Sequence, residues 1–439
     1  MRTLLVLIWI VFFPALVAAQ PEVVIELSRD TRAEVGIAVQ TFHSMEGKPD
    51  PRGIGDEARG IFENDLRISG FFNLVPRAAI QDLESKNVNP PNVDYPAWYS
   101  LGAQWLVKAE YELRPNNAYT VTFRLFDAVN ERFLLGKQYT GTLDTLRKIM
   151  HRFADEVVAQ LTGKRGVAET RLAFISKEAG NKEVYAVDND GYKPERFTHD
   201  NSLALSPAWS PNGKSIVYTS YAERNPDLVM IDAFGKNRRP ILRIYGLNAA
   251  PSWSPDSSKI ALVLSKDQNA EVYTLDKAMN LNRLTHHYNI DTSPSWSPDG
   301  KQIAFTSDRS GTGAPQIYIM DSQVGDAGKV ERISFGSSYN DNPAWSPDGD
   351  KIAYSSRMGK NFRIKIYDLN TKRTEDFTSE PGSQEGPAWS PDGRYIAYSQ
   401  TLNGASQIFI KKVGSEKARQ LTFLVGGGFS PTWSPYPGQ

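Results

Sequence analysis

The chain has 439 residues, 50 Lys plus Arg against 50 Asp plus Glu, a formal net charge of zero and no cysteine. Balanced charge without a basic block leaves no electrostatic footprint for a nucleic acid. The missing cysteine excludes disulfides, thiol chemistry and a lipid-bearing N-terminal cysteine.

Residues 1–19 read as a secretory signal. Arg2 is a short positive region, residues 4–13 are apolar, and Val17-Ala18-Ala19 is a small-residue cleavage site, so the mature chain is expected to start near Gln20. No later run approaches the eighteen apolar residues of a spanning helix, so no direct membrane insertion is expected.

Residues 35–164 predict a small α/β domain with its own core. Residues 35–42 (VGIAVQTF) suit a buried strand. Residues 56–69 carry Ala58, Ile61, Phe62, Leu66 and Ile68 at helical spacing, with Asp56 as the expected cap. Residues 105–113, 119–127 and 131–141 read as a strand meander. Residues 142–161 form a second amphipathic helix ended by Gly163, and Lys164-Arg165-Gly166 is a linker.

From residue 168 the texture changes. Six times the chain spells Pro-x-Trp-Ser-Pro, around Trp209, Trp253, Trp296, Trp345, Trp389 and Trp433, at separations of 44, 43, 49, 44 and 44 residues. That period, with short strand-like segments between, predicts a β-propeller. In the third copy Ser297, Pro298 and Asp299 fill successive turn positions, and Gly300 supplies a positive φ for a hairpin. Each Trp is expected to pack between neighbouring blades. The 49-residue spacing reflects extra residues near 325–329, between two outer strands.

The last copy ends the chain with an inner strand and nothing after it. Residues 171–176, 183–188 and 195–198 look like three outer strands lacking an inner one. The expected fold class is therefore a small α/β N-terminal domain followed by a six-bladed β-propeller over 168–439, with non-covalent closure between the C-terminal strand and the first propeller strand, leaving no open sheet edge at the seam.

Catalytic signatures are sparse: there is no Gly-x-Ser-x-Gly elbow, P-loop or His-Glu-x-x-His. The paired His286 and His287 precede an inner strand, and adjacent residues of a strand point to opposite faces, so no metal site and no cofactor are expected. Asp291, Asp341 and Glu385 stand two or three residues before Pro-x-Trp. They are either solvated loop carboxylates or a ring at the channel mouth that holds a cation weakly. No catalytic residue is assigned.

The repeat P-x-W-S-P-D-G-K, the pairing of VGIAVQTF with residues 57–76 (EARGIFENDLRISGFFNLVP) and the ending PTWSPYP together resemble the TolB family over essentially the whole chain. The resemblance implies a periplasmic, non-enzymatic component of the Tol–Pal system that supports outer-membrane integrity and cell division. It implies two protein partners. The lipoprotein Pal would sit on one propeller face, and TolA would take the mature N-terminal segment, residues 20–34; other outer-membrane lipoproteins are further candidates. Carried onto this chain, the Pal-facing positions are Leu247, Asn248, Ala250, Asp291, Thr292, Asn340, Asn342 and Glu385, with Leu247 departing from the polar residue expected there. The TolA segment includes Glu22, Val23, Val24, Ile25 and Glu26, either as a strand offered to a partner sheet or folded onto its own domain. A monomer is expected. The competing readings are an exported propeller enzyme of lyase or lactonase type, and the regulatory propeller of a peptidase.

Overall fold

The computed structural model describes residues 35–45, 50, 52–83, 93–311 and 313–438. The expected signal segment and the residues 20–34 proposed for TolA lie outside them.

The first unit is a mixed sheet of β1 (Val35–Val39), β2 (His43–Ser44), β3 (Phe72–Leu74), β4 (Trp105–Leu113), β5 (Ala118–Asp127) and β6 (Arg132–Thr142), in the order β3-β1-β4-β5-β6 with β2 added to β4. β1 runs parallel to β3 and β4, while β4, β5 and β6 form the antiparallel meander. Helices α1 (Ile54–Ser69) and α4 (Leu146–Thr162) lay their apolar stripes on one face. Phe62, Phe123 and Phe153 stack there, the last two with ring centroids 4.1 Å apart. The opposite face is closed by α2 (Arg77–Ile80) and α3 (Tyr95–Ser100), whose Trp98 is buried against Leu106 and Phe126.

Asp56 is not the cap of α1. The helix begins two residues earlier, behind Gly53, and the Asp50 carboxylate accepts from the Gly55 N–H instead. Asp56 lies in the first turn, where it pairs with Arg77 and meets the positive end of the helix dipole. α4 starts at Leu146, after a capping box between Thr142 and Thr145 that ends β6.

The second unit consists of six antiparallel four-stranded sheets. We number as blades 1 to 5 those whose inner strands are Ala204–Trp209, Asn248–Trp253, Asp291–Trp296, Asn340–Trp345 and Ser383–Trp389; blade 6 has inner strand Phe429–Trp433. In blade 3 the Gly300 N–H closes the turn onto the Ser297 carbonyl, and Gly300 has φ 71°. Ser297 Oγ donates to Asp299, which also accepts from the Lys301 N–H, so the repeated Ser-Pro-Asp-Gly stiffens itself. Every inner strand also carries a bulge, and the residue before its first Pro has positive φ: Ser206, Ala250, Ser293, Asn342, Gly386 and Ser430.

Each tryptophan sits at the seam between its own blade and the preceding one. The Trp296 indole donates to the Ser252 carbonyl of blade 2, and that of Trp389 to the Ala344 carbonyl of blade 4. Alternation along one strand serves two interfaces. Ile303 and Phe305 pack on blade 2, while the intervening Ala304 packs on blade 4.

The expected mode of ring closure is corrected by the sheet topology: among the described residues no sheet is closed by hydrogen bonds. Strand Phe429–Trp433 pairs with Arg171–Ser176, and those bonds complete one blade with Glu183–Asp188 and Glu195–Arg196 outside it. Each of the six sheets stays open, with two edges and no strand shared with a neighbour. The reason is geometric. Adjacent blades meet face to face, at sheet-packing distance of roughly 10 Å, not edge to edge at ladder distance. Side chains do the joining, in apolar clusters that each draw on two consecutive blades, the pair of blades 5 and 6 included.

The first unit docks on one side of the ring, against the turns of blades 5 and 6. Tyr395 Oη donates to the Ile68 and Ser69 carbonyls at the C-terminus of α1, and Lys412 Nζ donates to the Gly70 carbonyl. Arg394 stacks on Phe71 at 4.3 Å, and Arg147 of α4 pairs with Asp190 of blade 6. The opposite side of the ring, made of the loops that lead into the inner strands, is left uncovered by the described residues.

Candidate functional site: the loop face of the propeller

Chain direction sets the composition of this face. Each inner strand runs away from it, so the connection from the preceding outer strand must cross it. The first residues of the inner strands lie just beneath, and these are the positions assigned from sequence.

Three of the eight assigned residues are buried and bonded internally. Asn248 is fully buried, accepts from the Ile244 N–H, and donates to the carbonyls of Pro226 and Ile244, tying two loops together. Asp291 is buried against Arg309 at 2.8 Å, with burial pushing its carboxyl up. Asn340 is buried and donates to Gln316 Oε1. Gln384, at the same level of blade 5, accepts from Arg363 and donates to the Glu380 and Pro381 carbonyls. These four form a row of internal staples. Buried polar groups must find partners, and loops that cross a surface need them held.

The other assigned positions reach solvent to different degrees. Leu247 is half-buried, its N–H bonded to Ser265 Oγ. Ala250 is half-buried at a bulge with φ 48°, and Thr292 is half-buried opposite Thr306. Asn342 is exposed, and Glu385 is half-buried and accepts from Ser383 Oγ. Asp341 accepts from Ser293 and Thr306 of blade 3, so it braces two blades. Asp291, Asp341 and Glu385 therefore answer to separate partners.

Several large apolar side chains project from the face. Tyr245 is 96% exposed, Tyr288 80%, Phe335 65%, Phe423 78% and Val425 100%, with Ile290 beside Tyr288. Sequence reasoning missed the aromatic members. Their signal was available: each stands a few residues ahead of an inner strand, in turn segments that otherwise favour polar residues. Large exposed apolar side chains recurring on one side of a molecule mark interaction surfaces.

The histidines are framework-bound. His286 takes Asp326 through its backbone N–H and its ring, and the His287 ring accepts from the Asn289 N–H. Asp326 belongs to the insertion that lengthens the third repeat interval, and this folds back along the rim between blades 2 and 3. Gly325 permits that path. It has φ 60°, and a Cβ there would meet the Leu284 carbonyl oxygen at 2.0 Å. Among the described residues the one group of His and carboxylates spaced for a cation lies elsewhere, at the junction of the two units: Asp65, His151 and Asp190. There Arg147 already supplies the positive charge to Asp190.

A family model described as the TolB beta propeller domain matches residues 158–437, and one described as the TolB amino-terminal domain matches residues 23–134. The Tol-Pal system protein TolB of Desulfosudis oleivorans is 38% identical over 275 residues, 62% of this chain and 62% of its own length. That of Geobacter sulfurreducens is 36% identical over 214 residues, 49% of this chain and 48% of its own length. These matches thus span about half to three fifths of the curated relatives. A crystal structure of TolB from Acinetobacter baumannii superposes with a TM-score of 0.77 at 28% identity, covering 92% of this chain and 98% of that one.

Proposed function

This chain belongs to the TolB family, and from that premise we infer that it acts in the periplasm as a non-enzymatic adaptor of the Tol–Pal system, supporting outer-membrane integrity and cell division. The observation that carries the reading is the uncovered loop face, where apolar side chains stand over a row of buried, internally bonded polar groups. A surface built this way binds by shape and apolar burial.

Pal is the partner assigned to that face. Of the positions carried over from the resemblance, Leu247, Ala250, Thr292, Asn342 and Glu385 are accessible enough to touch it, and Tyr288, Ile290 and Phe335 join them. TolA is assigned to residues 20–34, with Glu22, Val23, Val24, Ile25 and Glu26 as the strand it takes up.

The test is calorimetric binding of the purified protein from Gln20 onward to the periplasmic domain of Pal from the same organism, beside a form lacking residues 20–32. Binding kept or strengthened by the deletion supports Pal on the loop face and a separate N-terminal handle. Loss of binding on deletion would move the Pal contact to the N-terminal segment. Absence of binding by both forms would overturn the adaptor reading.

A further inference from the structure

The junction between the two units holds a buried charged cluster that the loop-face function does not use. Asp65 comes from α1, Arg147 and His151 from α4 one turn apart, and Asp190 from the turn that follows strand Glu183–Asp188 of blade 6. His151 Nδ1 lies 2.7 Å from an Asp65 oxygen, and both side chains are almost wholly buried. One ring nitrogen of His151 and one oxygen each of Asp65 and Asp190 fall within 4.8 Å of one another. Arg147 bonds Asp190 and lies over the Tyr192 ring at 3.7 Å.

We propose that this cluster is a proton-operated latch: protonated His151, held between the Asp65 and Asp190 carboxylates, clamps the N-terminal unit to the propeller, and loss of its proton loosens the junction.

Charge counting supports the idea. With His151 protonated, two carboxylates face an imidazolium and a guanidinium, and the four groups sum to zero. With His151 neutral they carry a buried negative charge, which is expensive in a low-dielectric site. Only Asp190 belongs to the propeller, so that cost falls on the docking of the two units. The other contacts across the junction include Tyr395 on the α1 carbonyls, Tyr436 Oη on the Arg165 carbonyl, Lys412 Nζ on the Gly70 carbonyl and Arg394 over the Phe71 ring.

The remaining charged groups nearby set the balance. Burial alone would lower the His151 pKa, but the hydrogen bond and charge of Asp65, then the charge of Asp190, outweigh it and raise the value above 6.5, against a smaller opposing effect of Arg147. Burial pushes the Asp155 carboxyl, further along α4, up to about 7, so its negative potential at Asp65 grows as pH rises through the same range. Burial also raises Asp65, against the hydrogen bond and charge of His151, which hold it ionised. Arg419 of blade 5 adds positive potential felt at Asp190 and Asp65, but it spends its bond on the Asn189 carbonyl and makes no ion pair among the described residues. A group whose folded value is raised contributes fully below its unfolded value and fades as pH rises through the folded one. The latch is therefore closed under mildly acidic conditions and opens on the alkaline side of 6.5.

The chain has no cysteine, so paired spin labels can be placed at Gln160→Cys on α4 and Lys360→Cys on blade 4 without background. In the intact protein the interlabel distance distribution should be narrow at pH 5.5 and broaden by pH 9. Asp190→Asn should move the midpoint to lower pH, and His151→Gln should abolish the pH dependence. The His151 ring, assigned in the NMR spectrum by its loss in His151→Gln, should titrate with the same midpoint. A distribution unchanged over that range, or a midpoint indifferent to both substitutions, would overturn the proposal. So would a His151 ring that titrates at or below 6.5, and this last measurement stands even if a variant fails to fold.

Discussion

The division of the loop face into buried staples and projecting rings makes a sharp forecast for Asn248→Ala. The substitution removes an acceptor from the Ile244 N–H at 3.2 Å and donors to the Pro226 and Ile244 carbonyls at 2.9 and 2.6 Å. At about 1 kcal/mol net for each bond the loss is about 3 kcal/mol, with no new water path to the groups left behind. For a unit of this size that corresponds to a fall in the propeller melting temperature of roughly 6–12 °C. Calorimetric melting gives the shift, and Pal binding is measured well below the transition. Binding should be nearly retained, because the side chain is covered by its own loops. A variant that melts like the parent but no longer binds would show that Asn248 contacts the partner directly, and the assignment of the buried row as staples would be wrong.

Three further outcomes follow from the same structure. Tyr288→Ala combined with Phe335→Ala removes two exposed rings, so stability should change by no more than about 0.5 kcal/mol for each, while calorimetric affinity for Pal should fall by roughly tenfold or more; an unchanged affinity would remove these rings from the interface. Ala250→Gly relieves a left-handed residue that carries a Cβ, worth about 1–2 kcal/mol, against about 0.5–1 kcal/mol of added chain entropy in the unfolded state. Urea unfolding should therefore show a small stabilisation, and a destabilised variant would mean the Ala250 methyl packs productively. In the blade 2 turn, the Ser254 hydroxyl and then the Ser258 N–H and hydroxyl hold the Asp256 carboxyl down at about 2. Its contribution is present above the ordinary value of 3.8 and fades as pH falls through about 2, so the carboxylate carbon signal should titrate near 2; a midpoint near 3.8 would dissolve the turn lock.

How much was readable from sequence depended on whether a residue's role was local or collective. Strand β4 matches its expected bounds because its breakers, Gly102 before it and Pro115 after it, act within the chain. The Ser-Pro-Asp-Gly turn was equally local. Asp56 was misplaced as a cap because Gly53 starts α1 early, and the N–H that needed an acceptor found Asp50 across a loop. α3 was missed because Trp98 is a core residue only once Leu106 and Phe126 are beneath it. On the loop face it was burial that the sequence did not show. Asn248, Asp291 and Asn340 look like surface polar residues in one dimension, and only the neighbouring loops that use them reveal that they point inward. His151 carried no signal at all: its partners are 86 residues upstream and 39 downstream, in different units.

The placement of the N-terminal unit has a consequence for how the two ends of the molecule communicate. It bears on blade 5 through Tyr395, Arg394 and Lys412, and on blade 6 through Asp190 and Tyr192. Blade 6 is also the one sheet assembled from both ends of the propeller sequence, with its inner strand 253 residues beyond its second strand. Between these two blades the packing includes Leu172, Phe174, Ile408, Ile410 and Trp433, and Trp433 donates its indole N–H to Thr170, just past the linker from α4. The linker itself is anchored, since Asp155 of α4 accepts from the Ala168 and Glu169 N–H groups. Rotation of the N-terminal unit would therefore load the interface between blades 5 and 6 before any other. The loops of that same interface, with Phe423 and Val425, emerge on the uncovered face. A change at the charged junction thus has a short packed route to one sector of the loop face, and Phe423 is the position at which a fluorine label would report it.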